Sequence, residues 1–143
     1  CCCDIRICNE SARFGIPINR IGHPIAYPEL APVLQVVGRA AVLELVIEGR
    51  IVDSDWAASR GLVNRVVPDD KLEEEIAKTA ANIADAAPLS ARGTKKFVNC
   101  LMLEPAALSK LEIAESYTAC DSDDYVEGVN AFLGKRKPQF RGR

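Results

Sequence analysis

The stretch Gly49 to Pro68, GRIVDSDWAASRGLVNRVVP, constrains the fold of this chain more than any other. Asp53 stands where its carboxylate can accept from the free N–H groups of a following helical turn. Asp55 adds a second negative charge at the positive end of that helix. Trp56 and Ala57 open an apolar side, and Gly61 supplies the left-handed residue that ends a helix at little cost. Leu62 to Val67 is rich in β-formers, and Pro68, which lacks an N–H, closes the run. The spacing therefore predicts a turn, a short capped helix, a glycine stop and a strand in direct succession.

The flanking sequence predicts few strands and many helices. Cys2 to Cys8 reads as a core strand with Ile5 and Ile7 on one face, followed by a polar connection over Asn9–Arg13. Phe14-Gly15-Ile16-Pro17 leads into an extended segment that runs to Pro28. Pro28 suits the first turn of a helix through Val33, Leu34, Val36 and Val37, which stops at Gly38, although Pro32 disturbs its first turn. Ala40–Glu48 forms a second apolar helix. Asp69-Asp70 caps an amphipathic helix over Lys71–Ala87, whose Leu72, Ile76, Ala80, Ile83, Ala84 and Ala87 make one stripe, and Pro88 breaks it. A further helix from Leu89 carries Phe97, Cys100 and Leu101 as far as Pro105. Leu108, Leu111, Ala114 and Thr118 continue a helical pattern. Asp121-Ser122-Asp123-Asp124 caps a last helix that displays Val126, Val129, Phe132 and Leu133 and ends at Gly134 before a basic tail.

Composition excludes several classes. A formal net charge of −2 carries no nucleic-acid footprint. No apolar run approaches the ~20 residues of a membrane span, and no basic stretch leads into an apolar signal core. The expected compartment is the cytoplasm, or an organelle matrix if a transit peptide has been lost. The 6 cysteines show no paired spacing, and contiguous Cys1, Cys2 and Cys3 alternate faces in a strand, so buried reduced thiols are expected and no metal site. The chain opens at Cys1 inside a strand-like run, and two or three strands do not form a stable sheet unaided. It reads as the C-terminal part of something longer.

Several short motifs then fall in a familiar order. Cys3–Cys8 (CDIRIC) and Ala12–Pro17 (ARFGIP) come first, followed by Gly38-Arg39-Ala40, Glu44-Leu45 and Gly49-Arg50. GLVNRVVP, Ala87-Pro88-Leu89 with Thr94-Lys95, and Glu127-Gly128 through Ala131–Pro138 complete the series. In this order and spacing the whole chain resembles the second half of the enoyl-CoA hydratase/isomerase (crotonase) family. The resemblance implies an α/β fold: part of a crotonase-type ββα spiral over residues 1–68, then a helical C-terminal trimerisation region over 69–143. It further implies an acyl-CoA substrate, no separate cofactor, and a homo-oligomer, trimer or hexamer, with neither nucleic acid nor membrane as partner. In the family, two backbone N–H groups polarise the thioester carbonyl, an electrostatic effect of ~3–4 kcal/mol per donor.

The sequence departs from the family pattern at the proton-transfer groups. The oxyanion amides and one hydratase carboxylate belong to positions upstream of Cys1. The second glutamate position, after the FGxP motif, holds Ile18, which transfers no proton, and the glycine-rich loop expected near Ala26–Glu29 reads Ala-Tyr-Pro-Glu. Ile16, Pro17, Ile18 and Asn19 are candidates for the acyl pocket, against a plain role as loop residues at the core edge. His23, the one histidine, and Glu29 are the candidate acid/base groups. A surface histidine and a dipole-favouring glutamate are their ordinary alternatives. The resemblance assigns Lys135 to the coenzyme A nucleotide, against a merely solvated basic tail.

Two functions of different class follow: an acyl-CoA enzyme of the hydratase/isomerase type, or a non-catalytic crotonase-fold subunit that binds or assembles. A free-standing helical interaction module is the third, and it leaves the Cys2–Cys8 strand without neighbours.

Overall fold

A computed structural model describes residues 1–103 and 109–143, side chains included except at residue 103. The chain forms two compact units, Cys1–Ala77 and Lys78–Arg143. Pro105 and Leu108, read above as a helix end and part of a helical pattern, lie outside the described residues.

In the first unit, strand β1 (Ile7–Asn9) pairs in parallel with β4 (Arg65–Val67), placing Cys8 opposite Val66. Strand β2 (Arg13–Gly15) pairs antiparallel with β3 (Ile51–Asp53), placing Phe14 opposite Val52. Helix α1 (Tyr27–Ile47) lies between β2 and β3 in sequence, and the short helix α2 (Ser54–Ser59) joins β3 to β4. Cys8, Ala57, Leu62 and Val63 form a buried cluster, against which Phe14, Val36, Val37, Trp56 and Val66 pack. Ala41, Val42 and Leu45 bury one side of α1.

The Gly49–Pro68 stretch folds as its chemistry dictates. Asp53 caps α2, its carboxylate accepting from Trp56 N at 2.9 Å. Gly61 takes φ 72°, and the N–H groups of Leu62 and Val63 then return to the carbonyl of Ala57 at 2.8 and 3.4 Å. That wrap consumes Leu62 and Val63, so the strand is Arg65–Val67 and not Leu62–Val67. Both residues are still buried, in a turn where backbone demand is met locally.

Other elements differ from expectation for identifiable reasons. The first strand covers Ile7–Asn9 and not Cys2–Cys8, because its partner β4 is equally short. Upstream, Arg6 and Asn64 prolong the contact: Arg6 N donates to Asn64 Oδ1 and Asn64 N to Arg6 O, both at 2.7 Å. Cys1, Cys2 and Cys3 are consequently exposed, as is Cys120, so the expectation of buried thiols holds only for Cys8, with Cys100 half-buried. The segment expected to be extended contains a 3-10 turn, Pro17–Ile21, opened by the fixed φ of Pro17 and ended by left-handed Gly22.

Gly38 breaks α1 with φ 75° and ψ 170°, as its sequence predicts. Counted as one helix, Tyr27–Ile47 has 21 residues, and its most apolar 18-residue window has a mean hydropathy of 1.8. That is long and apolar enough to cross a membrane, contrary to the expectation that no apolar run approaches a span. The break at Gly38 leaves neither half at the ~20 residues a span needs.

The helix expected over Lys71–Ala87 is α3 (Leu72–Ala84), preceded by a 3-10 turn at Asp69–Lys71. Asp69 does not cap it; its carboxylate accepts from Ser11 N at 3.0 Å. The apolar stripe of α3 remains largely uncovered, with Ile76 and Ile83 exposed.

The second unit contains α4 (Pro88–Leu103), α5 (Lys110–Glu115) and α6 (Asp123–Leu133), with a 3-10 turn at Thr118–Asp121 between α5 and α6. Ser109 and Glu112 form a reciprocal cap on α5. Ser122, not the neighbouring aspartates, caps α6, accepting from Tyr125 N at 3.1 Å. Lys96 pairs with Glu115 at 2.5 Å and Lys137 with Asp85 at 2.6 Å.

Candidate functional site

The half-buried Ile16 follows β2 directly and precedes the 3-10 turn, in which half-buried Pro17 and Ile18 stand beside exposed Asn19. Asn19 does structural work that its sequence neighbourhood does not announce. Its Nδ2 donates to the Ile47 carbonyl at the end of α1, at 2.8 Å. Arg20 Nη2 donates to the Gly49 carbonyl at 3.2 Å. The 3-10 turn is thereby fastened to the α1–β3 connection. Gly49 has φ 63°, a left-handed conformation that favours glycine, and a Cβ there would displace the Asn19 amide.

His23 and Glu29 lie in the chain between this turn and the body of α1. Both are exposed, and the side chain of neither makes a hydrogen bond or ion pair among the described residues. Glu29 occupies the first turn of α1, where its charge favours the helix dipole. Ile18 accepts Gly22 N–H and His23 N–H on its carbonyl, the latter at 3.5 Å, so the loop closes on itself.

Lys135 belongs to the second unit and begins the basic tail that follows α6. It is exposed and has φ 49°, the only positive φ on a non-glycine residue among the described residues. The tail is not a solvated strand. Glu127 accepts both Arg136 Nη1 and Nη2, at 2.6 and 2.7 Å, and also Gln139 N at 2.8 Å. The Arg136 guanidinium first, and the Gln139 N–H next, hold the Glu127 carboxyl down at about 2. One turn earlier, Asp124, only 3% exposed, accepts Arg141 N at 2.6 Å and Gly142 N at 2.7 Å. Its own N–H donates to Arg143 O at 3.1 Å.

The tail so held lays Phe140 against Gly128, where a Cβ would stand 3.4 Å from the ring. Phe140, Tyr125, Val129, Phe132 and Leu133 line an apolar cavity of about 480 Å³. Glu127 and Asp124 were visible beforehand only as part of a motif and of an acidic run. Their i, i+3 spacing on one helix face is the signal that joins them.

The paired short strands, the capped α2 turn and the helical second unit define a crotonase-type α/β fold. A family model described as enoyl-CoA hydratase/isomerase matches residues 1–143, and the chain belongs to that family. A probable enoyl-CoA hydratase of Mycobacterium tuberculosis is 33% identical over 144 residues, covering 99% of this chain and 55% of that protein. A short-chain-enoyl-CoA hydratase of Clostridioides difficile is 40% identical over 96 residues, 67% of this chain and 62% of the relative. Among solved structures, an enoyl-CoA hydratase/carnithine racemase from Magnetospirillum magneticum superimposes with a TM-score of 0.95 at 49% identity. That match covers 99% of this chain and 53% of the other. The chain spans about half the length of the curated relatives it matches.

Proposed function

We propose that the protein acts on an acyl-CoA thioester as a hydratase/isomerase-type enzyme, and that this chain supplies the acyl-pocket edge and the nucleotide contact. The carrying observation is the family match along all of residues 1–143, with the FGIP segment leading from β2 into the fastened turn Pro17–Ile21 and not into a loose loop. In this reading, Ile16, Pro17 and Ile18 present an apolar edge to the acyl group, and Asn19 holds that edge in place. The carbonyl-polarising N–H groups come from the half of the relatives' length that this chain does not span. Ile18 offers no proton, so the acid/base work of a two-glutamate site passes to His23 or Glu29, both open to solvent and free of competing partners. Lys135 offers its ammonium to the phosphates at the nucleotide end of coenzyme A. The second unit serves a trimer, alone or paired into a hexamer. Its exposed Leu111, Phe132 and Leu133 support a covered face in such an assembly.

The same exposed apolar residues support a second reading, a non-catalytic subunit that keeps the assembly surface. One experiment separates the two. The protein is incubated with a short 2-enoyl-CoA, and the thioester is followed by liquid chromatography, which separates double-bond isomers, coupled to mass spectrometry. A product heavier by one water identifies hydration, and an isobaric product with a displaced double bond identifies isomerisation. An unchanged thioester that nevertheless binds supports the assembly subunit. The absence of both turnover and binding would refute the acyl-CoA reading.

A further inference from the structure

Helix α6 ends in an unusual way. Gly134 is right-handed at φ −78°, while the next residue, Lys135, takes the left-handed position at φ 49°. Arg136 N donates to Ala131 O at 3.0 Å and Lys135 N to Phe132 O at 3.2 Å, so the reversal closes over the lysine although a glycine stands beside it. A lysine in this conformation is strained, and such strain persists only where the surroundings over-determine it. The surroundings are Glu127: it grips both Nη atoms of Arg136 and the Gln139 N–H. The grip also removes a competing cation, since Arg136 is spent on Glu127, as Lys137 is on Asp85 and Arg143 on Asp123. The Lys135 side chain makes no ion pair or hydrogen bond among the described residues.

We propose that Glu127 is a positioning residue: through its forked pair with Arg136 it holds Lys135 left-handed and leaves that ammonium unpaired for the phosphate oxygens of coenzyme A. The inference rests on the reading that Lys135 meets the nucleotide end.

The test is calorimetric titration of coenzyme A into the protein and its variants, repeated at rising salt. Lys135→Ala is expected to weaken binding about tenfold and to flatten the salt dependence by about one charge. Glu127→Gln is expected to weaken it about fivefold, although it removes a negative charge from beside the phosphate site. In the Lys135→Ala background the same Glu127→Gln change is expected to do nothing further. A bystander carboxylate would behave oppositely, because its loss would tighten binding of an anion. Arg136→Lys keeps the charge, loses the fork, and is expected to weaken binding about threefold, again only when Lys135 is present. It carries the test if Glu127→Gln fails to fold. Should Lys135→Ala weaken binding while neither Glu127→Gln nor Arg136→Lys does, the positioning role is overturned and the nucleotide contact stands. Should Lys135→Ala bind coenzyme A like the parent, or the parent not bind it, the nucleotide reading falls and the positioning role with it.

Discussion

In Cys1–Ala77 the buried residues are mostly apolar and come from β1, α1, β3, α2 and the turn after Gly61; in Lys78–Arg143, among the described residues, they are Ala131 and Asp124. The first unit gains order from apolar area removed from water, roughly 25 cal/mol per Å² and without directional demands. The second gains it from directed bonds: a forked arginine on Glu127, two backbone N–H groups on Asp124, and a reciprocal cap at Ser109. Its apolar side chains meanwhile stay open, Phe132 at 84% and Leu111 at 80% exposure. A unit so arranged keeps its local shape through polar latches while leaving apolar surface for something else to cover. Loss of a core side chain should therefore injure the first unit most, and loss of a single carboxylate the second.

The largest effect is expected from Leu45→Ala. Leu45 is 2% exposed on the buried side of α1, and its truncation should cost about 3 kcal/mol of unfolding free energy in urea. A cost below about 1 kcal/mol would remove the ground for calling this unit core-driven. Asp124→Asn comes next, at about 2 kcal/mol, because two charge-assisted bonds to backbone weaken together. Hydrogen exchange should report it first at the amides of Arg141 and Gly142, and unchanged protection there would mean the latch is idle. Asp53→Ala should cost about 1 kcal/mol through the lost cap of α2, a polar device inside the apolar unit that tests how clean the contrast is.

The smallest and most local effect is on pH. Glu127 sits at about 2 in the folded chain, below the 4.5 of a free glutamate. Its depressed value means the latch contributes fully above the ordinary glutamate range and is lost as pH falls from about 4.5 towards 2. An NMR titration of the Gln139 amide should follow that window. A transition already complete at about pH 5 would show that Arg136 does not hold the carboxylate in solution.

The elements that were legible in advance are those whose signals are contiguous. Asp53, Gly61 and the break at Gly38 each act on bonds within a few residues, so their roles can be read without knowing the rest of the fold. The motif order from CDIRIC to the basic tail identified the family for the same reason: it is a property of sequence spacing alone. The extent of the first strand was not legible, since a strand's length is set by its partner, and β4 lies far along the chain. The thiols followed from that error, because Cys1, Cys2 and Cys3 are exposed once the ladder ends at Ile7. Of the candidate site, Pro17 to Asn19 fall in one turn that Ile16 precedes, but the bond of Asn19 to the Ile47 carbonyl spans 28 positions and leaves no local trace.

By itself, then, the sequence determined the start and stop of α2, the break of α1 at Gly38, which family the chain belongs to, and that Ile18 brings no proton to its position. These depend on residue chemistry and short-range backbone geometry. The tertiary structure alone decided which carboxylates become latches and which stay caps or surface charges. Asp69 reaches Ser11, Asp124 reaches Arg141 and Gly142, and Glu127 takes Arg136. An acidic side chain accepts from whichever donor the fold brings within about 3 Å, and that donor is chosen by packing, not by its neighbours in sequence.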